Sequence, residues 1–414
     1  MTAFLLLVES NTTGTGREFA RQAADLGAVP VLVAADPGRY PYVREDGLRH
    51  AVADTTDPRA VLDVAAELRH EGEVRGVTSS SEYYVPVAAT VARALGLPGP
   101  DPQRVTSCRH KGEQRRTLHA AGVPVPGFAV VTTEAEAEEA ALRLGPPVVV
   151  KPVLGSGSLG VRLCPDGRTA AKHAADLLSR TANERGMSLP REVLVESYLT
   201  GREFSVETFG TDVVTVVAKH VGPLPDFVET GHDVPAAVPD GLHDELADVA
   251  VRAVRALGLG WGAAHTEIRL EDGRAHVVEV NPRLAGGRIP DLVRLALGTD
   301  LVRAQVAAAL GEPAPPAAAR HGHAAIRFLT ADGPGTVGAT DEALAGARAV
   351  TGVADAALYR TPGEPARRAT DFRDRLGHVI AAADGPGRAR QAAEDGLARL
   401  RTALQHHENP GETE

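Results

Sequence analysis

The first stretch of the chain alternates short apolar runs with helix-spaced amphipathic segments. Ala3–Val8 and Val29–Ala34 are apolar runs of strand length, and Gly76–Ser79 reads as a third strand. Between them, Gly16–Leu26, Pro58–Arg69 and Tyr84–Leu95 carry helical spacing. This alternation predicts a parallel sheet with helices on its faces. The turn Asn11–Gly16 places a ligand-sized gap at a helix N-terminus. It lacks the full dinucleotide fingerprint and an acidic partner after the second strand.

Gly99–Pro102 breaks the pattern, and a helix is predicted over Arg109–Ala121. Val148–Pro152 and Val161–Leu163 read as strands flanking a glycine-rich loop, followed by a long helix over Thr169–Arg185. Strands are expected at Val193–Tyr198, Glu203–Phe209 and Val213–His220, then a helix at Asp244–Leu257. Ala263–Leu270 and His276–Asn281 form a hairpin, and Asp291–Leu310 reads as one helix. Pro313–Ala319 reads as a linker, and Ala324–Leu329 opens a smaller α+β unit ending in the helix Gly387–His406. The polar tail His407–Glu414 is expected to be disordered. No internal repeat is visible.

Composition narrows the class. With 414 residues and 43 % hydrophobic content, the chain has room for a large core and several structural units. No apolar run reaches the roughly 18–20 residues that a membrane span needs. Thr2–Ser10 is too short and uncharged for a signal peptide. Cys108 and Cys164 make neither a disulfide framework nor a metal set. A cytoplasmic enzyme, with no membrane partner, is the expectation. The net charge of −10 and the lack of a basic stripe argue against nucleic acid. All but four of the 44 basic residues are arginines, so Lys111, Lys151, Lys172 and Lys219 stand out. Lys172 falls mid-helix, where a solvated role suffices.

The segment Val148-Val-Val-Lys-Pro-Val-Leu-Gly-Ser-Gly-Ser-Leu-Gly160 contains G-x-G-x-x-G. A dinucleotide-binding loop opens a helix, whereas Val161-Arg-Leu-Cys164 reads as a returning strand. The result is a hairpin flap whose glycine and serine backbone N–H groups can close over phosphate oxygens. Lys151 stands on the strand before it, and a lysine in an apolar strand calls for a partner such as phosphate. An edge-strand lysine beside an open loop has the same local pattern.

Glu279 and Asn281 are two apart on a strand and share one face. With Glu267 on the neighbouring strand they would form an oxygen set suited to Mg²⁺ held jointly with phosphates. Parity decides this. A plain two-residue turn would put Glu267 opposite Val278, so the metal reading requires an odd loop or a bulge. The alternative is a surface hairpin with an acidic face. Arg283 and Arg288 follow closely, in reach of a transferring phosphoryl group or a carboxylate.

In this order the blocks resemble the ATP-grasp superfamily across about residues 1–310. Lys111 with the helix running to Pro126 resembles the first nucleotide lysine. Lys151 with Gly155–Gly160 resembles the second lysine and phosphate flap, with Ser156, Gly157 and Ser158 at its tip. Val193-Leu-Val-Glu-Ser-Tyr-Leu-Thr-Gly-Arg-Glu-Phe-Ser205 resembles the adenine hinge. There Glu196 and the backbone near Leu199 would contact adenine, and Glu203 the ribose. Glu267, Glu279 and Asn281 correspond to the Mg²⁺ ligands, with Mn²⁺ as a substitute.

Within the superfamily, Pro225-Asp-Phe-Val-Glu-Thr-Gly-His-Asp-Val-Pro235 and Asn281-Pro-Arg-Leu-Ala-Gly-Gly-Arg-Ile-Pro290 resemble the L-amino-acid ligase branch. Glu82, Glu229, His232 and Arg288 would then meet the substrate. Lys219, Arg283 and Arg288 would serve the chemistry.

The resemblance implies an α/β and α+β multidomain ATP-grasp fold. A Rossmann-like unit would span 1–105 and the linker helix with the small subdomain 106–200. The large subdomain would span 201–315 and a C-terminal α+β module 320–406, before a tail at 407–414. It implies ATP and Mg²⁺ as cofactors, small amino-acid, carboxylate and amine substrates, and a homodimer through the N-terminal unit. The implied reaction joins a carboxylate to an amine through an acyl phosphate. An ATP-grasp carboxylase working through carboxyphosphate, and a non-catalytic nucleotide sensor, are the rival readings.

Overall fold

The computed structural model describes residues 2–11, 15–183, 185–313 and 320–406. Residues 12–14 of the Asn11–Gly16 turn, 314–319 of the Pro313–Ala319 linker and the whole His407–Glu414 tail therefore lie outside the described residues.

The N-terminal unit is a parallel sheet of β1 (Thr2–Val8), β2 (Val29–Ala34), β3 (His50–Val52) and β4 (Gly72–Thr78), in the order β3-β2-β1-β4. The strand period of two divides β1 between two cores. Phe4, Leu6 and Val8 pack with Val61, Val64 and Val91 of the helices on one face. Leu5 and Leu7 pack with Phe19, Leu292 and Val306 on the other. That second core also contains Val217, Val234 and Ile326 of the large sheet, so the N-terminal unit and the large sheet share buried apolar surface.

A second sheet holds β5 (Phe128–Val131), β6 (Val148–Pro152), β7 (Arg162–Cys164) and β8 (Val193–Ser197), antiparallel in the order β5-β8-β6-β7. Helices Glu134–Leu144 and Gly167–Ser179 cover one face, burying Ala137, Ala141, Ala170 and Ala174 against Val148, Val150 and Val195. The other face is left to the cleft.

The rest of the chain contributes β9 (Glu203–Phe209), β10 (Asp212–Val221), β11 (Glu229–Val234), β12 (Ala263–Glu271), β13 (Arg274–Asn281) and β14 (His323–Leu329). They are followed by β15 (Gly335–Val337), β16 (Val353–Leu358), β17 (Pro365–Ala366), β18 (Gly377–Ala383) and β19 (Leu404–His406). Eight of these form one sheet in the order β13-β12-β9-β10-β11-β14-β18-β16. The segment expected as a separate C-terminal unit thus continues the large sheet, with β14 hydrogen-bonded to β11.

Several expectations change. The final helix, expected over Gly387–His406, spans Pro386–Leu400, and Leu404–His406 is strand β19. The helix over Asp291–Leu310 is two, Ile289–Leu297 and Leu301–Ala309. Gly298 ends the first at φ 73°, and Asp300 caps the second by accepting from Arg303 N at 2.8 Å. The helix expected to reach Arg185 stops at Ser179. β11 was not anticipated, because its sequence Glu-Thr-Gly-His-Asp-Val is mostly polar where strand signals are apolar. No described helix is long and apolar enough to cross a membrane.

Candidate active site

A cleft open to solvent, with about 940 Å³ of empty space counting its mouth, lies between the small sheet and the large one. β6 and β8 build one wall. Val148, Val150, Val193 and Val195 enter the apolar core, so strand alternation turns Lys151 and Glu196 to the opposite face. Lys151 Nζ pairs with one oxygen of Glu196, and Arg115 Nε, from the helix Lys111–Ala120, pairs with the other. Arg115 is wholly buried, Glu196 2 % exposed and Lys151 4 % exposed. Burial would raise the Glu196 pKa, but Arg115 and Lys151 outweigh it and hold the carboxyl below its usual range.

The flap tip follows. Gly157 and Ser158 take φ of 65° and 62°, and the serine hydroxyl donates to the Phe227 carbonyl at 3.0 Å. Lys111 Nζ donates to the Gly155 carbonyl at 2.7 Å and lies 3.0 Å from Glu279 Oε1, which ties the flap base to the opposite wall.

That wall is the hairpin β12–β13. Its turn, between Glu271 and Arg274, has two residues, and the register shifts by one at Val278 so that Glu267 stands opposite Glu279. Arg115 Nη2 donates to the carbonyl of the bulged Val278. The bulge puts Glu267, Glu279 and Asn281 on the cleft wall together.

Lys219, on β10, is 2.8 Å from both Glu203 Oε1 and Glu229 Oε1 and 3.1 Å from Glu267 Oε2. Burial favours the neutral amine, but these three carboxylates outweigh it and hold the ammonium well above the usual lysine range. His265 bridges Glu207 at 2.8 Å and Glu267 at 3.2 Å. Burial lowers its pKa, yet Glu207 and then Glu267 carry it up to about 9. Arg269 donates to the Leu199 carbonyl at 2.8 Å and to Glu203 at 3.1 Å, and lies 5.5 Å from the rings of Tyr198 and Phe227.

Of the residues singled out from sequence, Lys111, Lys151, Ser156, Gly157, Ser158, Glu196, Leu199 and Glu203 line this cleft. So do Lys219, Glu229, Glu267, Glu279, Asn281 and Arg283. Glu82, His232 and Arg288 do not. Glu82 accepts from Arg283 Nε at 3.0 Å and so braces a wall residue. His232 lies behind Glu229, its Nε2 3.7 Å from Glu229 Oε2. Among the described residues neither ring nitrogen of His232 has a hydrogen-bond partner. Burial pushes its pKa down to about 3. An added Cβ at Gly287 would collide with its Nε2, so only glycine fits beside the ring. Arg288 turns to Asp291 at 3.0 Å and Asp355 at 3.2 Å, away from the cleft.

Sequence reading passed over Arg115, His265 and Arg269. In so arginine-rich a chain, one more arginine carries no signal. His265 was visible as the polar residue two before Glu267 on the same strand face.

Residues 144–291 match the ATP-grasp domain family, and residues 20–99 the ATP-grasp N-terminal domain. The chain belongs to the ATP-grasp family. Residues 327–405 further match L-amino acid ligase C-terminal domain 2. An uncharacterized Sinorhizobium fredii protein, y4rH, is 40 % identical over 92 % of this chain and 78 % of its own length. Carnosine synthase 1 of Mus musculus is 27 % identical over 73 % of this chain, which spans only 39 % of that enzyme's length. The crystal structure of L-amino acid ligase from Bacillus licheniformis shares the fold, with TM-score 0.79, 22 % identity and 98 % of each chain covered.

Proposed function

We propose that the chain is an ATP-dependent carboxylate–amine ligase that joins an amino acid or similar carboxylate to an amine or second amino acid. One observation supports this above all: Lys111, Lys151 and the opposed Glu267 and Glu279 face one nucleotide-sized cleft. Val149, Leu199 and Phe227 give it an apolar lining that suits a base, and the flap backbone suits a triphosphate.

Among the described residues no three His, Cys, Asp or Glu side chains form a metal cluster. Two carboxylates and the Asn281 amide oxygen instead suit Mg²⁺, or Mn²⁺, shared with phosphate and water. Bound there by Glu267, Glu279 and Asn281, the ion would neutralise phosphate charge.

The residues then divide the work. Lys111 and Lys151 draw the phosphates, and the flap backbone covers them. A substrate carboxylate attacks the γ-phosphorus of ATP, and ADP leaves an acyl phosphate behind. The amine of the second substrate attacks the acyl carbon, phosphate departs, and the amine proton passes to solvent. Arg283, braced by Glu82, supplies fixed positive charge to the transferring group. Lys219 holds Glu229 at the substrate end. The test is ADP release over a panel of amino-acid pairs with mass detection of the product. ADP release that no pair stimulates would sink the reading.

A further inference from the structure

Three side chains of the C-terminal stretch from Arg368 to Arg375 each touch a different part of the cleft's cover. Arg368 Nη2 is 3.2 Å from Asp226 Oδ2, in the connection between β10 and β11. Phe372 packs on Gly157 of the flap, so closely that an added Cβ there would collide with its ring. Arg375 Nη2 is 2.9 Å from Glu229 Oε2, and its Nε donates to the Glu229 carbonyl at 3.1 Å. The same guanidinium lies 3.9 Å from the centre of the Phe328 ring.

This stretch is stiff for local reasons. The turn Phe372–Asp374 carries a capping box between Asp371 and Asp374. Asp374 also accepts from Thr370 N at 2.9 Å and Thr370 Oγ1 at 3.0 Å. Both aspartates are buried, so Phe372 is displayed by a fixed turn. The elements it covers are themselves joined. Ser158 donates to the Phe227 carbonyl at 3.0 Å, and Leu163 N donates to the Pro225 carbonyl at 3.2 Å.

We propose that this stretch belongs to the catalytic assembly: Phe372 sets the closed position of the phosphate flap, and Arg375 positions Glu229 for the amino-acid substrate. The inference rests on the ligase reading above. Arg375 fixes the Glu229 main chain through Nε and one carboxylate oxygen through Nη2, and Lys219 holds the other oxygen, so the carboxylate cannot swing without breaking its contacts to Arg375 and Lys219. Phe372 stands against the flap tip, where closure keeps water from the acyl phosphate. With the flap loose, water attacks the acyl carbon and the bond from that carbon to the phosphate oxygen breaks. Carboxylic acid and inorganic phosphate leave, and ADP has formed without ligated product. The C-terminal stretch therefore governs coupling rather than nucleotide binding.

The test measures ADP and ligated product together in the full-length enzyme, using a pair of amino acids that the wild type joins. Phe372→Ala is expected to keep ADP release within about threefold while product per ADP falls by about half or more. Phe372→Leu, which keeps apolar bulk, restores most of the coupling. Arg375→Ala is expected to raise KM for the amino acid about tenfold and leave KM for ATP within about threefold, with Arg375→Lys in between. An unchanged product ratio in Phe372→Ala, or equal effects of Arg375→Ala on both KM values, overturns the assignment. If the wild type joins no pair, the ligase reading fails instead. Hydrogen exchange of flap residues 153–161 with ATP bound then decides the Phe372 contact. Faster exchange in Phe372→Ala supports it and unchanged exchange overturns it.

Discussion

Glu267 and Glu279 face each other across β12 and β13 because Val278 bulges out of the ladder between them. A two-residue turn alone would have set Glu267 against Val278 and sent Glu279 to the far side of the sheet. Arg115 holds the bulged carbonyl through Nη2 and Glu196 in the small sheet through Nε. One buried guanidinium thus joins the acidic face to the lysine wall.

Glu267→Gln removes the charge that stands opposite Glu279 and is expected to slow ADP release by about 100-fold or more. Glu279→Gln keeps the shape and loses the charge, and is expected to slow ADP release by about 100-fold or more. Both are read by ADP release against Mg²⁺ concentration. Normal turnover in either variant would refute the acidic-face assignment.

Arg115→Met leaves Glu196 buried with Lys151 as its remaining ion-pair partner. Such a break is expected to cost about 3–5 kcal/mol, measured by denaturant unfolding. A loss below about 1 kcal/mol would mean that Arg115 is dispensable to the fold.

Lys219→Met strands the carboxylates of Glu203, Glu229 and Glu267 around an apolar side chain. The expected destabilisation is again about 3–5 kcal/mol, against within about 0.5 kcal/mol for Lys172→Met on an exposed helix face. Equal melting temperatures for the two variants would contradict the buried-network account.

His232 gives the pH prediction. Its ordinary value of 6.5 drops to about 3 in the folded chain, because burial disfavours the charged ring more than Glu229 favours it. Between those values the unfolded chain binds a proton that the folded one does not. Stability therefore rises with pH across this window and falls as pH drops from about 6.5 towards 3. His232→Phe removes that titration and is expected to flatten the acid limb of a stability-versus-pH curve. An unchanged slope in that variant would contradict a neutral buried ring.

Much of this was legible in the chain. Strand period and helical spacing located β1, β2, β6 and the β12–β13 hairpin, and four lysines among so many arginines pointed to Lys111, Lys151 and Lys219. On the metal reading, parity required an odd loop or a bulge, and the structure has the bulge. Less legible were β11, whose polar side chains serve the site rather than a core, and the break at Gly298 inside an apolar helical run.

By itself the sequence determined which residues lie on a common face of each strand, because alternation is a local property of the backbone. Only the tertiary structure decided which faces meet. It set Arg115 between two sheets, turned Arg288 towards Asp355, placed Glu82 on Arg283 and brought Arg375 onto Glu229 from a distant part of the chain. The physical reason is that an ion pair between far segments leaves no periodicity in either one. Its partner is chosen by packing of the shared cores, where apolar burial brings the units together and the buried charges must then find each other.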